Sequence, residues 1–598
     1  MIILRNAAKL NKIMDMGRRE KLQIVGITVM MLIGAFLETL GVSMVVPLVL
    51  VVTEPGVMEQ NLLIKNICAL CNIHTEKTLV LAIVTCLGAV FIIKGFFLLA
   101  EYQIQFRFVH KSKLNMQRRL LQIYLNRPYE YFLGTNFSEI LQNLTENVNA
   151  VFTTFSHILG FFTEIIVSLF LAAAIFLIDP MMTLLVSLVL LFLIVFLLKV
   201  IRNILEQEGR KRQKYGAQMS KWLLQAIHGI KEIKILGKEK YFLENYIRAG
   251  EKQLEAERKN IILNRVPRIL IESFSVSAML MGIAVMVLAG NHVGRLLPAL
   301  SAFAMAAARL MPSAHRVVTY MNELAYYEPA LDKLAENFEI LINGKEENSA
   351  ETDGLAEKDE PEQTDISSHA GVLTIKEEIA LTGICYHYPN TKTNVLTNAQ
   401  MRIPIGKSVG IAGVSGAGKT TIVDILLGLL KPQAGTILAD GVDISGGGHE
   451  WLSHTGYIPQ MIFMLDGTIR SNIAFGIPES EADDDRVWEA LEEAQLADFV
   501  RSLPGKLDTE IGERGVRLSG GQRQRVGVAR ALYTDPDLLI FDEATSALDS
   551  GTEAALMEAV SHLQGKKTMI IIAHRLQTIK MCDIVYRVEN GEIRREWL

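Results

Sequence analysis

The glycine-rich segment 413–420 (GVSGAGKT) constrains this chain more than any other part of its sequence. It has GxxxxGK[ST] spacing, in which small residues let backbone N–H groups close around phosphate oxygens. Lys419 then reaches the β- and γ-phosphates, and Thr420 offers its hydroxyl to Mg²⁺. The apolar run 408–412 predicts a strand before the loop, and residues 420–430 predict a helix after it. We therefore predict a nucleoside triphosphate at a helix N-terminus, rather than a glycine-rich turn without a ligand.

Long apolar segments dominate the first 320 of the 598 residues. Half of the chain is hydrophobic and the mean hydropathy is +0.26, which is high for a soluble protein. Because about 20 apolar residues cross a bilayer, we predict six membrane spans, and the first is too long to be a cleaved signal peptide. The predicted spans are residues 22–52, 79–100, 158–178, 181–198, 269–289 and 296–314.

Lys and Arg are distributed unequally between the two sides of these spans. Residues 1–21 carry six of them, residues 107–127 carry six and residues 199–268 carry seventeen, whereas the opposite connections hold only Lys65, Lys77 and Arg295. The positive-inside rule therefore predicts a multi-pass protein of the cell membrane, with the N-terminus, the long loops and the nucleotide-binding half in the cytoplasm. The pI near 6.2 and the scattered basic residues predict no nucleic-acid partner.

The two long cytoplasmic connections have a helical pattern with local breaks. Pro128 and Gly134 interrupt residues 127–140, and Gly229 interrupts residues 220–239. These breaks predict short helices at the tips of longer ones. On the opposite side, residues 60–73 predict an amphipathic interfacial helix. Its Cys68 and Cys71 lack a second ligand pair for a metal site, and we assign them no role.

Residues 343–370 contain nine Asp and Glu residues against two Lys residues, and almost no large apolar side chain. Such a segment buries too little surface to offset its conformational entropy, so it predicts an acidic flexible linker. The predicted organisation is a membrane domain at 1–335, a linker at 336–371 and an α/β nucleotide-binding domain at 372–598.

A second strand is predicted at residues 536–541, and it ends in two acidic residues. Asp542 is predicted to hold Mg²⁺, and Glu543 to orient or deprotonate the attacking water. Phosphoryl transfer requires both charge neutralisation and a positioned nucleophile.

Together these motifs resemble the ATPase domain of ABC transporters over almost all of residues 374–596. The resemblance rests on LSGGQ at 518–522, on Gln460 in YIPQ, on SALD at 546–549, on His574 in IIIAHR and on Tyr388 in YHYP. It implies ATP and Mg²⁺ as ligands. It also implies a dimer in which the LSGGQ segment of one subunit covers the ATP bound by the other, most simply a homodimer of twelve spans.

The resemblance assigns a role to each matching position. Glu543, His574 and Gln460 would be catalytic, and Thr420, Gln460 and Asp542 would hold the metal. The residues that would bind ATP within one subunit are Tyr388, Gly413, Ser415, Gly416, Ala417, Gly418, Lys419, Thr420 and Thr421. The residues that would contact the ATP of the other subunit are Ser519, Gly520, Gly521, Gln522 and Asp549.

The order of six spans before one ATPase domain resembles ABC exporters that are half-transporters. Residues 38–48, Lys94 in FIIKGFF and residues 306–313 look like bacterial flippases for lipid-linked oligosaccharides. An exporter of hydrophobic drugs or peptides and a membrane-anchored ATPase without transport remain alternatives. The predicted partners are membrane lipids and a lipid-linked or amphipathic substrate.

Three cations are candidates for contacting that substrate. Arg309 and Arg316 are seven residues apart and therefore share a helical face, which would suit a diphosphate headgroup. Alternatively, Arg309 pairs with Glu38, Glu164 or Glu272, or Arg316 lies in the cytosolic interface. Lys94 is the third candidate, although a lysine at this depth also reaches the interface by snorkelling.

Overall fold

The chain is described by a computed structural model. The described residues are 2–14, 17–43, 75–176, 180–288, 293–349, 375–389, 391, 393–543, 557–558, 560–573 and 576–596. The chain divides into two compact units. The first comprises Met1–Asn126 and Asn136–Lys358, and the second comprises Arg127–Thr135 and Asp359–Leu598.

The first unit is helical. Its helices are α1 (Ile2–Met14), α2 (Arg18–Ser43), α3 (Glu76–Leu125), α5 (Phe137–Gln142), α6 (Val148–Phe176), α7 (Pro180–His228), α8 (Ile230–Leu236), α9 (Glu239–Leu288) and α10 (Val293–Ser349). A single π-helical turn, Asn143–Asn147, joins α5 to α6. The helix α10 extends to Ser349, which lies inside the segment predicted as a linker.

Within the described residues, four helical segments are long and apolar enough to cross a membrane. They are Arg18–Leu37, Lys77–Leu125, Phe137–Ala173 and Ser187–His228. These segments overlap the first four predicted spans. The fifth and sixth predicted spans fall largely on positions of α9 and α10 whose side chains lie outside the described residues. The predicted interfacial helix with Cys68 and Cys71 also lies outside them.

The core of this unit forms where α6, α7, α9 and α10 pack together. Leu205, Ile271, Val318 and Ala325 are buried there. At Gly209 of α7 the helices approach so closely that a Cβ atom would lie 2.1 Å from the carbonyl oxygen of Tyr326. Glycine at this position therefore permits the contact between α7 and α10.

The short helix predicted after Gly229 is present as α8, which ends at Gly237 with a φ of 61°. The helix predicted between Pro128 and Gly134 is also present, as α4 (Tyr129–Gly134), with Pro128 at its N-cap. This second helix belongs to the compact unit that contains the ATPase residues.

The second unit contains two sheets. The strands are β1 (Glu378–Tyr386), β2 (Leu396–Pro404), β3 (Ser408–Gly413), β4 (Ala434–Ala439), β5 (Val442–Asp443), β6 (Thr455–Ile458), β7 (Leu538–Asp542), β8 (Thr568–Ile572), β9 (Ile584–Glu589) and β10 (Glu592–Glu596). The four-stranded sheet has the order β2-β1-β4-β5 and is antiparallel, and the six-stranded sheet has the order β10-β9-β3-β8-β7-β6.

Further α-helices accompany these sheets in the described residues of the second unit. They are α11 (Lys419–Leu426), α12 (His449–Ser453), α13 (Ile469–Ile473), α14 (Asp484–Glu493), α15 (Ala497–Ser502), α16 (Gly520–Leu532) and α17 (Leu576–Ile579). The strands β7 and β8 are buried at every position, as expected for parallel strands with both faces covered.

We expect Gly209→Ala to force α7 and α10 apart, because the added methyl group would meet a backbone carbonyl that cannot rotate away. Overpacking of this kind costs about 1–3 kcal/mol, so the thermal unfolding midpoint of the purified protein should fall. Gly250→Ala is the matched control, since its nearest neighbour would be the Sδ atom of Met219 at 3.6 Å. Equal midpoints for the two variants would contradict this account of the helix contact.

Candidate nucleotide-binding site

The phosphate-binding loop connects β3 to α11, as its sequence predicts. Gly416 and Gly418 adopt φ values of 79° and 100°, which favour glycine. Gly418 is the N-cap of α11, so the first amides of this helix lie beside the loop. A loop of this shape binds the phosphates of a nucleotide through backbone N–H groups and the positive end of the helix dipole.

The ammonium of Lys419 is buried at the centre of the loop. It donates hydrogen bonds to the carbonyl oxygens of Gly413 and Val414, both at 3.1 Å, and it lies 3.8 Å from the Glu543 carboxylate. These contacts fix the ammonium close to the loop amides that would bind phosphate. The predicted role of Lys419 requires this position.

Asp542 ends β7 and lies beside the loop. One carboxylate oxygen accepts a hydrogen bond from the Thr420 hydroxyl, and the other accepts one from the Tyr457 hydroxyl, both at 3.4 Å. Burial raises the pKa of Asp542, and the nearby charge of Glu543 raises it further. A Mg²⁺ ion, which prefers oxygen ligands, fits this pair of residues because it would compensate the buried negative charge.

Glu543 follows Asp542 in an unusual backbone conformation. Its φ is 49°, in the left-handed region, and its N–H donates to the Ile572 carbonyl oxygen on the neighbouring strand. The Gln460 amide nitrogen donates to a carboxylate oxygen of Glu543 at 2.9 Å. The structure thus brings together Glu543, which was predicted to act on the attacking water, and Gln460, which the resemblance assigned to catalysis and to the metal.

Tyr388 lies on the other side of the loop. Its hydroxyl is 3.0 Å from the Thr421 hydroxyl, and its ring contacts that of Tyr386 edge-on at 5.3 Å. The buried Tyr386 donates a hydrogen bond to the Glu130 carboxylate on α4, which also accepts one from the Lys431 amide. These contacts connect the phosphate loop to the short helix at 129–134.

Two residues near the metal position were not predicted from the sequence. Tyr457 donates to Asp542, and Asp424 on α11 has a pKa raised to about 6, first by burial and then by the charge of Asp542. An apolar helical pattern after the phosphate loop gives no sign that one acid in it turns toward the strand-end carboxylate. Only the YIPQ motif, which contains Tyr457, offered a signal.

The LSGGQ segment lies at the start of α16. Ser519 is the N-cap, its hydroxyl accepts from the Gln522 amide, and the Gln522 side chain accepts from the Ser519 amide, which forms a capping box. Ser519 and Gly520 are exposed, whereas Gly521 is buried. His574 and Asp549 lie outside the described residues, so their predicted roles remain predictions.

The three cations predicted to contact substrate lie in the first unit. Arg316 forms a two-point ion pair with Glu164 of α6, at 2.5 Å and 3.0 Å, and contacts the Ser313 hydroxyl at 3.3 Å. The backbone of Arg309 is helical, but its side chain lies outside the described residues. Lys94 on α3 has its ammonium 5.8 Å from the centre of the Phe91 ring.

Comparison with known proteins identifies the family. The family described as ABC transporter transmembrane region matches residues 41–307, and the family described as ABC transporter matches residues 396–546. ABC transporter B family member 29 of Arabidopsis thaliana is 30% identical over 81% of this chain and 74% of its own length. The Nostoc heterocyst differentiation ATP-binding protein HepA is 30% identical over 77% of this chain and 72% of its own length.

The chain belongs to the ABC transporter family. A solved bacterial Atm1-family ABC exporter with ATP bound has the same fold, with a TM-score of 0.73 and 23% identity over 96% of this chain and 94% of its own. The ATP-dependent lipid A-core flippase of Burkholderia orbicola is 41% identical over 37% of each chain. Membership of this family implies that the ATPase domain couples ATP hydrolysis to transport.

We expect Glu543→Gln to retain ATP binding but to lower turnover by about 10²-fold or more, the usual contribution of a general base. The substitution keeps the size of the side chain and one oxygen that can accept the hydrogen bond from Gln460, and it removes the charge and the basicity. Steady-state phosphate release and nucleotide binding should be measured on the same preparation. Glu481→Gln, an exposed glutamate of the same domain, is the matched control. Parental turnover in Glu543→Gln would remove the residue from its assigned role.

We also expect Asp424 to make stability depend on pH. Since its pKa in the folded state is about 6 and its ordinary value is 3.8, its contribution to stability is complete below pH 4 and is lost as pH rises to about 6. Asp424→Asn should therefore flatten the pH dependence of unfolding between pH 4 and 6, followed by the fluorescence of the buried Trp451. The exposed Asp466→Asn should leave the parental curve unchanged, and an identical curve for Asp424→Asn would refute the assignment.

Proposed function

We propose that this chain acts as a homodimer in the cell membrane and flips or exports a lipid-linked oligosaccharide or a related polyisoprenoid phosphate, using ATP and Mg²⁺. The observation that carries the proposal is the ion pair between Arg316 of α10, two residues beyond the sixth predicted span, and Glu164 of α6, within the third predicted span. Charged groups at this depth are costly and usually serve a ligand path or an ion pair.

The environment of Arg316 suits an anionic headgroup. Its side chain remains 42% exposed although it pairs with Glu164, whose side chain is 13% exposed. A guanidinium presents five N–H donors in a rigid plane, a geometry that suits phosphate oxygens. Ser313 adds a hydroxyl beside it.

Arg309 precedes Arg316 by two turns of the same helix, α10. At 1.5 Å per residue the two positions are about 10 Å apart along one face of the helix. We propose that both arginines face the transported headgroup and that Lys94 contributes a third cation. Arginine's planar fork matches the oxygens of a diphosphate better than a lysine ammonium does.

One relative supports a lipid cargo in general terms. The protein of Burkholderia orbicola, similar over 37% of each chain, is named as an ATP-dependent lipid A-core flippase. The alternative cargo, a hydrophobic drug or peptide, is favoured by the two-point Arg316–Glu164 pair, because a neutralised pair needs no anionic ligand. Family membership favours transport over a purely sensing role.

The exposed LSGGQ segment supports the proposed dimer. The LSGGQ segment presents the exposed Ser519 and Gly520 at the N-terminus of α16. We propose that this helix end covers the phosphates bound by the partner's phosphate loop, with Gly521, Gln522 and Asp549 nearby and with His574 beside the γ-phosphate. The N-terminus and the ATPase domain would face the cytoplasm, as the distribution of Lys and Arg indicates.

We expect Arg309→Ala to reduce movement of polyprenyl-diphosphate sugar in reconstituted vesicles by at least about tenfold, since a charge-assisted hydrogen bond contributes about 1.5–3 kcal/mol. Basal ATPase activity should persist, because the Lys419 and Glu543 geometry does not involve this residue. Arg309→Lys should recover part of the movement, as a point charge lacks the two-point contact.

Three further variants separate the cargo from a structural role. Arg316→Ala leaves Glu164 without its partner and should lower both stability and transport, whereas the double variant Arg316→Ala with Glu164→Gln should recover stability but not transport. Arg258→Ala, an exposed arginine of α9, serves as the charge-matched control. Movement at the parental rate in a stable Arg309→Ala protein, with ATPase stimulated by cationic amphiphiles instead, would favour the hydrophobic-cargo alternative.

A further inference from the structure

A groove of about 480 Å³ lies in the first unit, where α1 and α6 pack beside α2. The α2 wall includes Ile24, Met31 and Ala35, and the α6 wall includes Ile158 and Phe162. Met31, Ala35 and Ile158 are buried, whereas Phe162 is half exposed at the rim. The groove is therefore an apolar channel along α2 and α6, the helices of the predicted first and third spans.

The lining presents hydrocarbon and no available hydroxyl. Thr28 donates its hydroxyl hydrogen to the Ile24 carbonyl oxygen at 2.9 Å, and Thr163 donates to the Leu159 carbonyl oxygen at 3.1 Å. Both hydroxyls are thus satisfied within their own helices. An occupant of this groove has nothing to hydrogen-bond along its length, which suits an alkyl chain and not a peptide or a sugar.

One end of the groove differs from the rest. Among the described residues that line it, Lys21 is the one with a charge, and its side chain is exposed. The opposite end lies at Ala35, fourteen residues further along α2, which corresponds to about 21 Å of helix. The hydrocarbon of one leaflet is about 15 Å thick, so the groove is long enough for an extended acyl chain.

The position of Lys21 also agrees with the distribution of charge in the sequence. Arg18 and Arg19 precede it, and both are exposed. Basic residues beside the first span mark the cytoplasmic surface, where anionic phospholipids attract Lys and Arg. The headgroup end of the groove and the anionic surface of that leaflet therefore coincide.

We infer that this groove binds one acyl chain of an anionic membrane phospholipid, with the lipid phosphate paired to Lys21. The bound chain would fill the space between α1, α2 and α6 and would fasten the N-terminal helix to the spans. Lys9 on α1 already pairs with Glu328 on α10, so the lipid would supply a second attachment for this helix. The site is independent of the cargo proposed above, because Arg316 and Glu164 take no part in it.

The test uses the full-length protein, delipidated in detergent and titrated with phosphatidylglycerol or phosphatidylcholine of identical acyl chains. Native mass spectrometry counts the lipids retained per chain. We expect the parent to retain phosphatidylglycerol preferentially, and Lys21→Gln to reduce that preference about fivefold, the effect of one cation near an anionic lipid. Thr28→Phe should reduce retention of both lipids, since the ring would occupy the groove.

Two matched controls separate the groove from the general surface. Arg19→Gln removes an exposed cation that does not line the groove, and Val29→Phe enlarges the neighbouring residue that faces away from it. Both should behave as the parent. Lys21→Gln alters only an exposed side chain, so it tests the headgroup contact even if Thr28→Phe fails to fold.

Each result decides the inference. Unchanged preference in Lys21→Gln, or unchanged retention in a folded Thr28→Phe protein, would overturn it. Displacement of the bound phospholipid by an equimolar polyprenyl-diphosphate sugar would also overturn it, because the groove would then belong to the transported lipid. Substrate movement, measured on the same variants, should remain at the parental rate. An absence of substrate movement in the parent itself would count against the proposed cargo alone.

Discussion

Parallel pairing of four neighbouring strands is the constraint on which the nucleotide site depends. The strands β3, β8, β7 and β6 lie side by side and run in one direction, with Ile411 opposite Ile572 and Asp542 also opposite Ile572. Because parallel strands end at the same edge, the phosphate loop, Gln460 and the pair Asp542 and Glu543 meet there, although they are far apart in sequence. The buried apolar residues within these strands fix the register, and the polar residues that follow them are the ones predicted to carry the chemistry.

Much of this edge could be predicted from the sequence, because each motif is local. The strand before the phosphate loop and the strand before Asp542 were predicted within a residue or two of β3 and β7. The helix after the loop is shorter than predicted and ends at Leu426, because Gly428 takes a φ of 69° and a Cβ there would lie 2.4 Å from Gly447. The first four predicted spans overlap helices that are long and apolar enough to cross a membrane, since apolar length is a property of the segment itself.

Contacts between distant segments could not be predicted in the same way. Tyr457 meets Asp542 across 85 residues, and Arg316 meets Glu164 across 152. The sequence offered Glu164 as one of three partners for Arg309, whereas in the structure it pairs with Arg316. The helix α4 is connected to the phosphate loop through contacts of Glu130, Tyr386 and Tyr388. No local pattern distinguishes these two tyrosines from other core aromatics. This contiguous set of contacts gives the loop that binds ATP a direct physical connection to a segment that precedes α5.

The left-handed backbone conformation of Glu543 affects which substitutions this position can accept in evolution. A residue with a side chain pays about 1 kcal/mol or more for a left-handed conformation, whereas glycine adopts it freely. The hydrogen bond from the Glu543 amide to Ile572 holds this strained conformation in place. Replacement by glycine would relieve this backbone strain and remove the carboxylate in one step. The predicted role of Glu543 would therefore be maintained against the backbone preference at this position.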